Sequence, residues 1–323
     1  MIIKSLTISF FLFSFSGAYG IEVQLSAASP GNHKGYLNHY GFKRTFIYHI
    51  PVSWSKTVRM PLVIALHGGG GQGRHMVRLT NGGFNTLAGR DGFIVVYPDG
   101  RNKHWNDGRS VEETGYQSHK ENCDDTGFIS LLIDYFINEF NVDPRRVYVT
   151  GMSNGAMMSY RIGCELSDKV AAIAPVTGNI PQNLLAHCSP SSPVAVLAIN
   201  NVNDPLMPYG GGDVTGPFGK RKLGKVLSAE ASVKFWANRN KCEANPLVIE
   251  EPDHDPGDGT RVRRETYTNG LNGTEAILYT IEGGGHTWPS GYQYLPEKII
   301  SKTSRDINAC EVIWDFFSRH AKR

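Results

Sequence analysis

The chain has 323 residues, 40% of them hydrophobic, and a formal net charge of +3 at pH 7. That apolar fraction is ample for a buried core, and so small a charge gives no reason to expect nucleic acid or an anionic membrane as a partner. No repeat period or internal linker is visible, so we expect residues 42–323 to form one domain rather than two small ones.

Residues 1–20 have the pattern of a secretory signal peptide. A short positively charged start precedes the apolar run 6–15, and small residues precede a cleavage site after Gly20. A membrane span needs about 20 apolar residues, and this run is shorter. We therefore expect export to the periplasm or the medium. Residues 21–41 are polar and weakly periodic, which predicts an irregular lead-in.

Apolar runs alternate with helical patterns along the rest of the chain. Strands are predicted at 44–52, 61–66, 92–98, 146–150, 170–176, 193–199 and 276–281. Helices are predicted at 76–88, 125–140, 154–164, 229–240 and 308–320. Asp124 and Asp125 are placed to cap the second helix. This alternation predicts an α/β fold, a mostly parallel sheet with helices on both faces and ligands bound beyond the carboxyl ends of the strands.

A G-x-S-x-G pentapeptide at 151–155 lies between the fourth predicted strand and the next helix. The flanking glycines allow a sharp bend, which lifts the Ser153 hydroxyl above the edge of the sheet. The pentapeptide alone is a weak signal in a chain with 36 glycines. Its strand–turn–helix setting is what makes Ser153 the candidate nucleophile.

A serine hydroxyl needs a base to accept its proton and a carboxylate to orient that base. After Ser153, His286 is the histidine that follows a predicted strand through a glycine-rich segment, which lets it reach across the sheet edge. Asp204 follows the strand 193–199 and lies between the two in chain order, with Asp213 as the nearby alternative. We therefore expect Ser153, Asp204 and His286 to act together.

The oxyanion of an acyl-transfer intermediate needs hydrogen-bond donors that already point at it. We expect the backbone N–H of Asn154 to be one donor. The second should come from the glycine-rich loop 67–71, with Gly69 as the first choice and Gly70 as the second. His67 precedes Ser153, so we expect it to brace this loop rather than to act as the base.

Trp105, Tyr209 and Trp288 are candidates for the walls of an acyl or aryl pocket, with packing in the core or loops as the alternative for each. No histidine or cysteine spacing suggests zinc, and the acidic turn 250–258 does not fit a calcium loop. We expect neither a metal nor another cofactor. The basic cluster 220–222 is expected to be a solvated loop.

Several motifs together resemble the polyhydroxybutyrate depolymerase-like and feruloyl esterase-like family of α/β-hydrolases. They are 67–71, 105–106, 124–129, 142–148, 151–155, 204–209 and 283–289. The resemblance covers residues 42–320 and implies hydrolysis of carboxylic esters by a Ser153–Asp204–His286 triad. One departure is that Asn200 and Asn201 stand where such enzymes usually carry His-Gly. A peptidase or acyltransferase on the same fold, or a non-catalytic binding protein, remains the alternative.

Since the resemblance reaches residue 320, we expect no surface-binding module of the kind that would hold an enzyme beside a solid polyester. No long insertion suggests a lid, so we expect an open pocket shaped by the short loops 102–106 and 287–294. The expected substrates are short-chain acyl esters, hydroxyalkanoate oligomers or hydroxycinnamoyl esters, with a dedicated polyhydroxybutyrate depolymerase as the alternative. We expect a monomer or a small homo-oligomer.

The five cysteines leave at least one thiol unpaired within the chain. Export would allow disulfides to form. Cys164 ends the helix after the pentapeptide and Cys188 precedes the strand 193–199, so both belong to the end of the sheet away from Ser153. We expect this pair to be bonded. The pairing of Cys123, Cys242 and Cys310 stays open.

Overall fold

The computed structural model describes residues 23–25 and 29–323, so the predicted signal peptide at 1–20 lies outside the described residues. The strands of the described part are β1 (Val23–Leu25), β2 (Gly31–His39), β3 (Phe42–Ile50), β4 (Met60–Leu66), β5 (Ile94–Pro98), β6 (Val142–Met152), β7 (Ala172–Val176), β8 (Ala195–Asn201), β9 (Gly212–Gly216), β10 (Gly219–Val226), β11 (Leu247–Glu250), β12 (Arg261–Tyr267) and β13 (Ala276–Glu282). Its helices are α1 (Gly73–Leu79), α2 (Gly83–Asp91), α3 (Val111–Thr114), α4 (Gln117–Lys120), α5 (Asp125–Phe140), α6 (Asn154–Glu165), α7 (Gln182–Leu185), α8 (Ala229–Arg239), α9 (Glu297–Ile300) and α10 (Ala309–Ser318).

Eleven of these strands form one sheet in the order β1-β2-β3-β5-β4-β6-β7-β8-β13-β12-β11. The six strands from β5 to β13 in that order run parallel, and antiparallel strands extend the sheet at both edges. The remaining pair, β9 and β10, forms a separate hairpin. The predicted fold class, an α/β fold with a mostly parallel central sheet, is confirmed.

The central strands are apolar on both sides because helices cover both faces. In β4, which is buried throughout, Leu62, Ile64 and Leu66 pack with the apolar residues of α5, α6 and α8. The alternate residues, Val63 and Ala65, pack with those of α1, α2 and α10. One strand therefore contributes to two cores, and every parallel strand points its carboxyl end toward the same edge of the sheet.

Helix α5 is bounded by residues that satisfy its ends. The carboxylate of Asp124 accepts a hydrogen bond of 2.8 Å from the backbone N–H of Gly127, as expected of an N-cap. At the other end, Asn141 adopts a positive φ of 55°, which stops the helix. Between them the helix buries an apolar face that includes Phe128 and Leu132.

The expectation of an irregular lead-in at 21–41 is wrong for its second half. Residues Gly31–His39 form β2, which pairs antiparallel with β3 along its whole length. In β2 only Gly35 and Leu37 are buried. A strand near the edge of a sheet can leave most of its side chains in solvent, so it lacks the apolar alternation by which strands are recognised.

The single helix expected at 76–88 is instead two helices. Helix α1 ends before Asn81 and Gly82, whose φ angles are 51° and 70°. A left-handed backbone at two successive residues cannot continue a right-handed helix, so the chain turns and restarts as α2.

The disulfide predicted between Cys164 and Cys188 is present, with the two Cα atoms 4.8 Å apart. It ties the end of α6 to the segment before β8. Cys123, Cys242 and Cys310 are free thiols, and the first and last of these are buried. Within the described ranges, no helix is long and apolar enough to cross a membrane.

Candidate active site

Ser153 occupies a strained turn between β6 and α6. Its φ is 57° and its ψ is −116°, a conformation that a residue with a side chain rarely adopts. A Cβ on Gly151 would fall 2.6 Å from the carbonyl carbon of Gly155, and one on Gly155 would fall 2.5 Å from the carbonyl oxygen of Leu66. Both glycines of the pentapeptide are therefore required by close packing, and the turn they permit is a nucleophile elbow.

Asp204 and His286 are in direct contact. Oδ2 of Asp204 lies 2.6 Å from Nδ1 of His286, and both side chains are almost fully buried. The other carboxylate oxygen accepts hydrogen bonds from the backbone N–H groups of Leu206 and Met207, at 2.8 and 2.9 Å. Since a carboxylate can only accept, Nδ1 carries the proton and Nε2 is the nitrogen that can receive one.

The alternative acid, Asp213, lies in the β9–β10 hairpin. Its carboxylate is 2.7 Å from the ammonium group of Lys222. Asp213 therefore pairs with a lysine, and it is Asp204 that contacts His286.

Ser153 and His286 line the same cavity, which has a volume of about 610 Å³. Ser153 follows β6 and His286 follows β13, and the loop 67–71 follows β4. These strands lie in one parallel set, which brings their carboxyl ends to one edge. No hydrogen bond within the described part of the chain joins the side chains of Ser153 and His286; in structures without substrate this contact is often long.

Gly69 and Gly70 were both considered as oxyanion donors, but the backbone N–H of Gly70 already donates a hydrogen bond within the protein. It donates to the carbonyl of Lys103 at 2.8 Å. A Cβ built on Gly69 would lie 3.7 Å from Cβ of Asn154, so these two residues are close neighbours. Asn154 is the first residue of α6, where backbone N–H groups lack an acceptor within the helix. Asn154 and Gly69 are therefore the better pair of candidates.

His67 braces the glycine loop, as the sequence led us to expect. Its Nε2 accepts a hydrogen bond of 2.9 Å from the backbone N–H of Gly100, so the proton sits on Nδ1, 2.8 Å from the carbonyl of Gly68. Burial lowers the pKa of His67 to about 4, which keeps the imidazole neutral at neutral pH. A neutral ring with both nitrogens committed holds the loop and has no role as a base.

A buried ionic network lies beneath the candidate oxyanion site. The side-chain amide of Asn154 donates to Asp107 at 2.6 Å and accepts from the backbone N–H of Trp105 at 2.8 Å. Asp107 is fully buried and is also held by Arg109 at 2.7 Å and by His119 at 3.1 Å. Burial alone would raise the pKa of Asp107, but the charge and hydrogen bonds of Arg109 and His119 hold it well below its usual range.

Sequence reasoning missed Asp107, Arg109 and His119. A usable signal was the position of Asp107, two residues after Trp105 in a motif that the resemblance had already marked. The ionic contacts themselves depend on how the segment 107–119 folds against α6, which periodicity does not show.

The cavity wall is mostly apolar and aromatic. These side chains are Met76, Leu79, Tyr116, Met152, Met157, Leu206, Val214, Pro217, Phe218, Leu223, Tyr292 and Tyr294. Such a wall suits the hydrocarbon part of an ester. The loops 102–106 and 287–294 contribute to it through His104, Tyr292 and Tyr294, as expected.

The three aromatic residues predicted as pocket walls do not line this cavity. Trp105 is fully buried, and its indole N–H donates to the carbonyl of His67 at 2.9 Å. Trp288 packs edge-on against Phe84 in the core. Tyr209 shares a hydrogen bond of 2.8 Å with Thr280. Nearness to catalytic motifs along the chain does not fix the direction in which a side chain points.

The pocket is also not shaped by short loops alone. The β9–β10 hairpin lines the cavity with residues 214–218 and Leu223. A small core that includes Met157, Met207 and Val226 attaches this hairpin to α6 and to the acid loop. In addition, Arg109 donates a hydrogen bond of 2.6 Å to the carbonyl of Leu223. The expectation that short loops alone shape the pocket is therefore wrong, because this hairpin forms part of its wall.

Among residues 23–25 and 29–323, no cluster of three or more histidine, cysteine, aspartate or glutamate side chains could hold a metal ion. In the acidic turn, Asp253 and Asp255 pair with Arg261 and Arg305.

Comparison with known sequences shows to which family the chain belongs. Residues 46–206, which include Ser153 and Asp204, match the family model described as Esterase PHB depolymerase. Over 261 residues the chain is 31% identical to "Putative esterase NocK" of Nocardia uniformis subsp. tsuyamanensis, covering 79% of this chain and 73% of that protein. It is 30% identical to feruloyl esterase B of Piromyces equi, over 62% of this chain but only 35% of that protein's length.

A solved structure shows the same architecture. Acetyl xylan esterase from Aspergillus awamori superimposes with a TM-score of 0.57 at 14% identity, covering 85% of this chain and 94% of that one. At this identity the likeness establishes the α/β-hydrolase fold. The family match, the similarity to NocK and the shared fold agree. The chain belongs to the Esterase PHB depolymerase family, whose members are hydrolases that act on ester bonds.

Proposed function

We propose that the protein is an exported serine carboxylesterase that works through an acyl-enzyme on Ser153. The observation that carries the proposal is the contact of 2.6 Å between Asp204 and His286, beside a cavity that also contains the serine of a strained elbow. A base held by a buried carboxylate and a serine lifted on such a turn are the parts that acyl transfer requires.

The chemistry follows from these groups. Nε2 of His286 accepts the proton of the Ser153 hydroxyl as its oxygen attacks the ester carbonyl carbon. The backbone N–H groups of Asn154 and Gly69 hydrogen-bond the oxyanion, and Asp204 stabilises the imidazolium. His286 then gives its proton to the departing alcohol, which leaves the acyl group on Ser153. Water then attacks the acyl carbon as His286 accepts its proton, and His286 returns that proton to the Ser153 oxygen as the acid leaves.

The proposed substrates are soluble carboxylic esters with short acyl, hydroxyalkanoate or hydroxycinnamoyl groups. The volume and apolar wall of the cavity support this range, and relatives are named as feruloyl and acetylxylan esterases. The nearly neutral charge supports a small-molecule or oligomeric ester as the substrate rather than nucleic acid or a membrane as a partner. We propose that the enzyme itself is a monomer or a small homo-oligomer. The Cys164–Cys188 disulfide supports export to an oxidising compartment, and the mechanism requires no cofactor.

Two measurements test the proposal. A fluorophosphonate probe should label the purified protein on Ser153, because only an activated serine reacts with it. A panel with a soluble butyrate ester, a methyl hydroxycinnamate, a matched amide and a polyhydroxybutyrate film should show turnover of the small esters. Absence of labelling would favour a binding protein. Clearing of the film without activity on small esters would favour a dedicated depolymerase, and amide cleavage would favour a peptidase.

A further inference from the structure

The charged residues that line the cavity are all of one sign. Among the described residues, Arg78 and Arg109 line it together with four histidines, and no aspartate or glutamate does. Arg109 is neutralised by Asp107, and it also donates a hydrogen bond to the carbonyl of Leu223. Arg78 forms no ion pair with any residue in the ranges 23–25 and 29–323. It is the cation of this cavity whose charge the protein leaves unbalanced.

Arg78 is nevertheless held in a defined position. Its Nη2 donates a hydrogen bond of 2.8 Å to the hydroxyl of Tyr292, and its guanidinium lies 4.3 Å from the centre of the same ring. Both side chains are exposed while lining the cavity, so they lie at its opening. Stacking on an aromatic ring limits the motion of a guanidinium and so reduces the entropy lost when it binds a ligand.

We propose that Arg78 and Tyr292 form a carboxylate-binding subsite, and that the enzyme prefers esters that carry a carboxylate remote from the scissile bond. This inference rests on the proposed function of Ser153. A guanidinium presents parallel N–H donors that match the two oxygens of a carboxylate, and Arg78 has donors beyond the one that Tyr292 uses. Met76 and Leu79, on the same helix as Arg78, give the cavity an apolar wall for the chain between the two ends of the substrate.

The surroundings of Arg78 strengthen the preference for an anion. Partial burial, followed by the charges of Arg74, Lys103 and Arg78, lowers the pKa of the neighbouring His75, as expected on a positively charged rim. The acid that opposes this effect is Asp99, whose carboxylate already accepts hydrogen bonds from the backbone of Gly73 and from Thr45.

Two kinds of ester carry a carboxylate remote from the scissile bond. One is an oligomer of a hydroxyalkanoic acid, which ends in a free carboxylate, and the other is a monoester of a dicarboxylic acid. The test uses one matched pair for each. The first pair is a hydroxybutyrate trimer with a free acid end and the same trimer ending in a primary carboxamide. The second pair is mono-4-nitrophenyl adipate and neutral 4-nitrophenyl hexanoate.

The native enzyme should favour the carboxylate member of at least one pair, and the pair with the larger ratio identifies the source. Arg78→Ala should lower kcat/KM for that member about tenfold, mainly through KM, because a charge-assisted hydrogen bond at an exposed site is lost. The neutral member should change less than about twofold, and Arg78→Lys should recover part of the preference. Raising the ionic strength from about 0.01 M to about 1 M should shrink the ratio.

Arg74→Ala is the matched control, since this exposed arginine lies on the same helix but does not line the cavity. Arg74 adds only a more distant charge to the rim, so the carboxylate preference should fall much less than in Arg78→Ala. An equal loss on both members of each pair, or no preference in the native enzyme, would overturn the subsite. Failure of the proposed function looks different: the neutral 4-nitrophenyl ester would not be hydrolysed at all, or its hydrolysis would survive Ser153→Ala.

Discussion

The side-chain amide of Asn154 donates a hydrogen bond of 2.6 Å to the buried carboxylate of Asp107. Asn154 directly follows the candidate nucleophile, and its backbone N–H is the proposed first oxyanion donor. The side chain therefore anchors the peptide unit whose N–H must point at the developing charge. A donor that is fixed in advance costs no reorganisation during the reaction, and this is the advantage that the contact provides.

Asn154→Ala keeps the backbone N–H but removes the anchor. We expect kcat to fall about tenfold with little change in KM, because one oxyanion donor is worth about 2.7–4 kcal/mol and only part of that is lost when it is less well aimed. Steady-state kinetics on a 4-nitrophenyl ester measure the split between kcat and KM. A rise in KM with unchanged kcat would instead assign Asn154 to substrate binding.

The triad is tested by substitutions that remove one function each. Ser153→Ala should lower kcat for ester hydrolysis by about six orders of magnitude, and His286→Ala should lower it nearly as much. Asp204→Asn should cost about four orders of magnitude, since an amide can no longer hold the required tautomer of His286. The matched control is Asp213→Asn, because Asp213 pairs with Lys222 in the hairpin. If the two aspartate variants lost activity equally, the assignment of Asp204 would be wrong.

Burial of His67 makes stability depend on pH. Its pKa is lowered to about 4 in the folded protein, below the ordinary value of 6.5, so below that value the unfolded chain binds a proton that the folded chain does not. This residue is therefore neutral toward stability above the unfolded pKa and destabilises the fold as the pH falls. The full effect, about 3 kcal/mol, is reached below the folded pKa.

Urea unfolding of His67→Gln and the native protein at about pH 7 and about pH 4.5 isolates this effect, because other titrating groups are common to both. The variant should lose less stability between the two conditions, even if it is less stable at the higher pH. His187→Gln, at an exposed histidine, should follow the native curve. Parallel losses in all three proteins would contradict the assignment.

The Cys164–Cys188 disulfide should contribute to stability and not to catalysis. It closes a segment with a sequence separation of 24 residues, for which loss of the bond costs roughly 3 kcal/mol. The double variant Cys164→Ala/Cys188→Ala should unfold at lower urea concentration while its KM and kcat stay within about twofold, because both residues lie at the end of the sheet away from Ser153. Free thiols at both positions in non-reducing peptide maps of the native protein would disprove the bond.

The positions of the proposed catalytic residues were predictable because each depends on local pattern and chain order. Ser153, Asp204 and His286 each follow a strand whose apolar run is visible in the sequence, and parallel strands bring their carboxyl ends together. The contact between Asp204 and His286 could be anticipated from that rule alone.

Part of the cavity wall could not be anticipated in the same way. The parts formed by the β9–β10 hairpin and by α1 depend on tertiary packing against the site. The hairpin carries glycines and lysines rather than an apolar alternation, so it gave no strand signal. Trp105 shows the converse: a large aromatic residue beside a motif was predicted as a pocket wall, yet it fills the core under His67.

The bond between Arg109 and the carbonyl of Leu223 has a consequence for how substrate reaches the serine. Lifting the hairpin would leave a buried guanidinium N–H without an acceptor, at a cost of about 1–3 kcal/mol, and would loosen the cation that balances Asp107. Opening on that side would thus disturb the oxyanion site at the moment it is needed. We therefore expect ester and product to pass the exposed rim formed by Arg78 and Tyr292 while the hairpin stays in place.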